Sequence, residues 1–159
     1  MKFLLIPLFC TFPFVLLAQD ERSIENPYAL YFGKVIRVID GDTIIAEVDL
    51  WPGLTQEIAV RAKGIDAPEL RRVGCEEERQ WGEDAKDLVE KSYGPGTPIR
   101  LEDISIDSFG RAIADIRRWR SDRWLYLSNE LVDQQLAVEW EDDQDDVPWC
   151  LLAQTREVE

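Results

Sequence analysis

The chain has 159 residues, 45% of them hydrophobic and six of them tryptophan, enough for one domain with a real core and unlike a disordered or repeat protein. Thirty-two acidic residues stand against 18 basic ones, and no histidine is present. Imidazole acid–base chemistry, histidine-ligated zinc and a Ser-His-Asp triad are therefore excluded, and the net charge of −14 opposes long-range attraction of a polyanion.

Lys2 is followed by an almost unbroken apolar run, Phe3 to Ala18, before the polar Gln19-Asp20. One cation, an apolar stretch and a small residue at its end predict a signal peptide over residues 1–18. A membrane anchor would need about 20 apolar residues, and Pro7 and Pro13 interrupt this run. Lipid attachment at Cys10 is the other alternative, but bulky Phe9 precedes it and the apolar run continues past it. Export predicts a secreted or periplasmic protein without a membrane anchor after cleavage. Losing Lys2 and Cys10 leaves 17 basic against 32 acidic residues, a net charge of −15, and two cysteines. In an oxidising compartment Cys75 and Cys150 are expected to form a disulfide, worth roughly 4 kcal/mol in the chain-entropy model. Two buried free thiols are the alternative.

Residues 19–30 read as a polar leader, 31–150 as one domain and 151–159 as a tail. From Tyr31 the pattern alternates with period two. Val35, Ile36, Val38 and Ile39, then Thr43 to Val48, predict two strands joined at Asp40-Gly41-Asp42. Trp51-Pro52-Gly53-Leu54 predicts a turn or short excursion, and Ile58 to Ala62 a third strand. Glu76 to Tyr93 predicts a helix, with Trp81, Ala85, Leu88 and Val89 at helical spacing. Gly94-Pro95-Gly96-Thr97-Pro98 breaks the chain. Strands are expected at Ile99-Arg100-Leu101 and at Ala112 to Trp119, a hairpin tip at Arg120 to Arg123, and its return at Trp124 to Leu127. Ser128-Asn129-Glu130 is expected to cap a short helix through Leu131, Val132 and Leu136. Five short strands with an interposed helix predict an α+β fold, a five-stranded oligonucleotide-binding Greek-key barrel with about two helices.

The chemistry concentrates in two acidic turns, Asp40-Gly41-Asp42-Thr43 and Asp66-Ala67-Pro68-Glu69. Carboxylates from separate turns suit a hard cation. A further carboxylate nearby can deprotonate a water, and arginines such as Arg61 and Arg111 can clamp phosphate oxygens bidentately. Each turn alone is equally at home in an ordinary hairpin or loop.

Taken in order, Ile39-Asp40-Gly41-Asp42-Thr43, Arg61, Ile65-Asp66-Ala67-Pro68-Glu69 and Asp107-Ser108-Phe109-Gly110-Arg111 closely resemble the staphylococcal nuclease family. The likeness extends from about Gly33 to Trp140. It implies an oligonucleotide-binding barrel and Ca2+-dependent cleavage of DNA or RNA phosphodiesters. By position, Asp42 and Asp66 would be side-chain metal ligands and Ala67 a main-chain carbonyl ligand, where the family commonly has threonine. Glu69 would be the general base, and Arg61 and Arg111 would contact the scissile phosphate. Asp40 reads instead as a turn residue or as one that supports the metal ligands from behind.

The chain departs from the family in its acidity and in lacking a counterpart of the long C-terminal helix; Val147-Pro148-Trp149-Cys150 is expected to return the tail toward Cys75. Phe109 and Trp140 are candidate substrate-binding rings, Trp140 being as readily a core residue. Arg117 and Arg118, in a hairpin interleaved with Trp119 and Trp124, are candidate contacts to single-stranded nucleic acid, or else a solvated hairpin. The expected function is a secreted, calcium-dependent nuclease, a monomer preferring single strands. An inert barrel binding nucleic acid or a protein is the alternative.

Overall fold

The computed structural model of the protein describes residues 30–141 and 144–156. The expected signal segment with Cys10, and residues 19–29 of the expected leader, lie outside them. In chain order the elements are β1 (Leu30–Val38), β2 (Thr43–Trp51), β3 (Leu54–Ala62), the two-residue β4 (Ile65–Asp66), α1 (Glu76–Tyr93), β5 (Pro98–Ile106), β6 (Ala112–Arg120), β7 (Arg123–Tyr126), α2 (Leu127–Asp133), the two-residue β8 (Val138–Glu139) and α3 (Trp149–Arg156).

Strands β1, β2 and β3 form an antiparallel meander, β5 pairs with the other edge of β1, and β6 pairs with β5. A parallel pairing of β3 with β6, Val60 opposite Ala112 through Ala62 opposite Ala114, closes the order β3-β2-β1-β5-β6 into a five-stranded barrel. The α+β Greek-key class expected from the sequence is the one observed. Alternation fills its interior: Val35, Ile44, Ala46, Val60, Ile99, Leu101, Ala114 and Ile116 are all buried. Each large one contributes about 1.5–3 kcal/mol relative to exposure.

Helix α1 has the predicted limits. It buries Trp81, Ala85, Val89 and Tyr93, four residues apart each time, against the end of the barrel. Glu76, Glu77 and Glu78 in its first turn and Lys91 in its last complement the helix dipole. Two expectations are corrected. Helix α2 starts at Leu127, not at a Ser128 cap; Tyr126 occupies the cap without a side-chain bond. Burial of Leu127 and Leu131, one turn apart, draws Leu127 out of the strand and into the helix. The expected total of about two helices becomes three, because α3 runs through the tail to Arg156. Trp149 and Ala153, also one turn apart, are buried and hold this helix against the domain. It has eight residues and is a short third helix.

The Cys75–Cys150 disulfide is present, with the Cα atoms 5.9 Å apart. It joins the residue capping α1 to the first turn of α3.

Candidate active site

The first acidic turn follows from Asp40. Its Oδ1 accepts the backbone N–H groups of Asp42 at 3.2 Å and Thr43 at 2.8 Å, a local turn that bears out the structural reading of Asp40. Gly41 is needed between them because a Cβ there would lie 2.8 Å from Ala85 Cβ and 2.9 Å from Ala67 Cβ. That close approach seats the first turn directly against both α1 and the second turn. The second turn is supported from below in the same way: a Cβ on Gly82 of α1 would meet the carbonyl oxygens of Pro68 and Glu69 at 2.8 and 3.0 Å.

Asp42 points inward and is 3% exposed. Its Oδ1 accepts the Thr43 hydroxyl at 2.7 Å, and its Oδ2 accepts the Ala67 N–H at 3.3 Å. Arg61, across the β2–β3 ladder from Thr43, bridges the two turns. Its Nη1 lies 2.6 Å from Asp42 Oδ2 and its Nη2 2.7 Å from Asp66 Oδ1. Desolvation raises the Asp42 carboxyl to about 7 even though the Arg61 guanidinium pulls the other way. Glu69 sits exposed at the lip of the site; partial desolvation, then the charges of Asp42 and Asp66, raise its carboxyl above the ordinary range.

Arg61, Asp66 and Glu69 line one cleft of about 750 Å³ with Arg111, Phe109 and Trp140. Arg111 comes from the turn leading into β6, the strand paired with β3 at the closure of the barrel. Asp107 places it, accepting the Arg111 N–H at 2.9 Å and its Nε–H at 2.7 Å. Gly110, at φ +80°, lets that turn close. Phe109 is 84% exposed beside the Arg111 guanidinium, and the Trp140 ring lies 6.0 Å from that of Arg61. Arg72, from the exposed pair after the second acidic turn, also lines the cleft.

Two candidate residues are placed elsewhere. Arg117 pairs with Glu102 at 2.6 Å and packs on Tyr126. Arg118 is 9% exposed and holds Glu130 with both Nε and Nη2, beneath the ring of Tyr93. Neither lines the cleft. Strand alternation sends Arg118 inward, where its partners are structural. Arg118→Ala is therefore expected to cost about 2 kcal/mol of stability, the scale of a hydrogen-bonded charge. Denaturant unfolding checks it.

Asp107 and Trp149 line the cleft without having been singled out from the sequence. The Asp107-to-Arg111 spacing carried a readable turn signal. For Trp149 the expected return of the tail toward Cys75 gave the neighbourhood but not the contact with Asp66.

The donors gathered here are carboxylate and carbonyl oxygens, which fits a hard divalent cation. Asp42, Asp66 and Glu69 do not come within 4.8 Å of one another as a trio; among the described residues, Cys75, Glu78 and Cys150 do so, with both sulfurs in the disulfide. Asp42 and Asp66 are held together through Arg61, and Ala67, between Asp66 and Glu69, donates its N–H to Asp42.

Comparison with known proteins points the same way. The family model described as "Staphylococcal nuclease homologue" matches residues 59–155, a span that holds Arg61, Asp66, Glu69 and Arg111 and begins after Asp42. An uncharacterized protein of Methanocaldococcus jannaschii is 30% identical over 72% of this chain and 61% of its own length. A thermonuclease of Staphylococcus hyicus is 33% identical over 67% of this chain and 54% of its own. A protein of Eremothecium gossypii named "Probable endonuclease LCL3" is 31% identical over 53% of this chain and 30% of its own. The matched region thus spans less than two thirds of each of these relatives. With the family model covering more than half of a chain that folds into this barrel, and four of the five charged site residues inside the match, the protein belongs to the staphylococcal nuclease homologue family.

Proposed function

We propose that this protein is an exported, calcium-dependent nuclease that hydrolyses phosphodiester bonds in DNA or RNA, preferring single strands. The observation that carries this reading is the meeting, in and beneath one cleft, of a bridged pair of aspartates, a glutamate and two arginines brought together where β3 pairs with β6. A binding module has no need of that set.

Asp42, Asp66 and the Ala67 carbonyl would hold the cation, which when bound supplies positive charge beside the phosphate under attack. Glu69, at the lip, orients a water and takes its proton; its raised pKa makes it a more capable base near neutral pH. Arg111, fixed through Nε by Asp107, has Nη groups that meet no acceptor among the described residues and are open to phosphate oxygens. Arg61 balances Asp42 and Asp66 in the metal-free chain and can turn toward the phosphate as a cation takes over that charge. Phe109 and Trp140 border the cleft and offer faces to unpaired bases, which favours single strands.

Purified protein incubated with single-stranded DNA should degrade it with calcium and lose at least ~10²-fold in rate with excess chelator. Cleavage rates equal with and without chelator would rule out the metal. Binding without cleavage under any divalent cation would favour the inert module.

A further inference from the structure

Asp66 has two partners, and only one of them belongs to the barrel. Its Oδ1 takes Arg61, and its Oδ2 accepts the indole N–H of Trp149 at 2.8 Å. Trp149 is 83 residues away in sequence, the first residue of α3, and 4% exposed. Its ring packs edge-on against Trp81 of α1 at 4.9 Å. The indole anchors one carboxylate oxygen and leaves the other turned toward Arg61.

Besides the core packing of Trp149 and Ala153, the disulfide is what fixes the start of this helix. An eight-residue helix has no stability of its own in water. The next residue, Cys150, is bonded to Cys75 at the start of α1. Glu78 braces the same corner, its Oε2 accepting the Gly74 N–H at 2.7 Å and lying 3.5 Å from Cys150 Sγ. The covalent link is therefore adjacent in sequence to the residue that holds the carboxylate.

Resting on the nuclease reading above, we propose that Trp149 is a positioning residue for Asp66 and that the Cys75–Cys150 disulfide, by holding Trp149 in place, makes the cation affinity of the cleft depend on redox state. Reduction by a dithiol transfers two electrons and two protons to the bridge, leaving two cysteine thiols and the dithiol as its cyclic disulfide. Trp149 is then released from Asp66, and the carboxylate loses its second anchor. Partners that orient metal ligands in this way typically account for 10- to 100-fold in affinity.

The test measures calcium binding by calorimetry in wild type and Trp149→Phe, each oxidised and reduced with dithiothreitol. Trp149→Phe keeps an aromatic ring against Trp81 and removes the N–H donor along with part of the indole's volume. Its calcium Kd is expected to rise about 10-fold, with the metal-free Tm moving by no more than a few degrees. Reducing the wild type should give a loss of the same size. Reducing the variant should add less than about twofold, because both changes act through one contact. An unchanged Kd in Trp149→Phe overturns the proposal, as do losses that multiply.

The metal-free wild type gives an independent reading. The indole N–H resonance assigned by its absence in Trp149→Phe should shift on reduction and in Asp66→Asn. If the wild type takes up no calcium, the nuclease reading fails. In that case a resonance that still shifts supports the coupling, and one that stays put overturns it.

Discussion

Glu69→Gln is expected to lower kcat on single-stranded DNA by about 10²- to 10⁴-fold, the usual worth of a positioned general base. Calcium affinity and thermal stability should stay close to wild type. The side chain is exposed at the lip of the cleft and makes no ion pair among the described residues, so the amide removes a proton acceptor and little else. The pH dependence carries a second signature. The base works only when ionised, and burial together with Asp42 and Asp66 raises its pKa. The wild-type rate should therefore climb with pH through a carboxylate range displaced upward, and that limb should vanish in the variant. A Glu69→Gln enzyme within threefold of wild type would remove Glu69 from the chemistry. One that lost calcium binding would make it a ligand.

Asp42→Asn is expected to abolish the calcium response and to stabilise the metal-free protein near neutral pH. The sign follows from the carboxyl being raised to about 7 in the folded chain from an ordinary value near 3.8. The unfolded chain gives up this proton first. Asp42 thus favours folding fully below its unfolded pKa, and the benefit is lost as pH rises through about 7. In wild type without metal, Tm should fall across that window more than in Asp42→Asn, and the two should draw together below about pH 4. Added calcium should raise the wild-type Tm, by the equivalent of about 2.7 kcal/mol at 100 times Kd, and leave the variant unmoved. Thermal melts at several pH values, with and without calcium, check both halves. Parallel pH profiles for the two metal-free proteins would mean that Asp42 is charged and well solvated in the fold.

The same burial explains why the metal-free chain needs Arg61 where it stands. A carboxylate so enclosed requires a cation, and the nearest one bridges Asp42 to Asp66. From sequence Arg61 reads as a phosphate ligand. In the structure it first balances the charge of the proposed metal ligands, and both uses are compatible if the cation displaces it.

Much of the fold could be read from local pattern. Period-two alternation from Val35 to Val48 marks strands, the spacing of Trp81, Ala85 and Val89 marks α1, and the Asp-Gly-Asp and Asp-Ala-Pro-Glu turns mark where strands end. Each of these signals acts within a few residues, through steric preference or helix geometry, so a single stretch of chain contains the whole cause. Arg117 and Arg118 show the limit. Their spacing with Trp119 and Trp124 resembles a nucleic-acid surface, but alternation on β6 and the long-range partners Glu102 and Glu130 turn them to structural use.

The sequence by itself determined the barrel, the two acidic turns with Arg61, and the cysteine pair that could be joined. Tertiary structure alone decided that Arg111 enters the same cleft from the other side of the closure between β3 and β6, and that the indole of Trp149 holds Asp66. Both contacts span tens of residues of chain, and no propensity or spacing rule reaches that far. They exist because the barrel closes and because the disulfide brings α3 back onto α1.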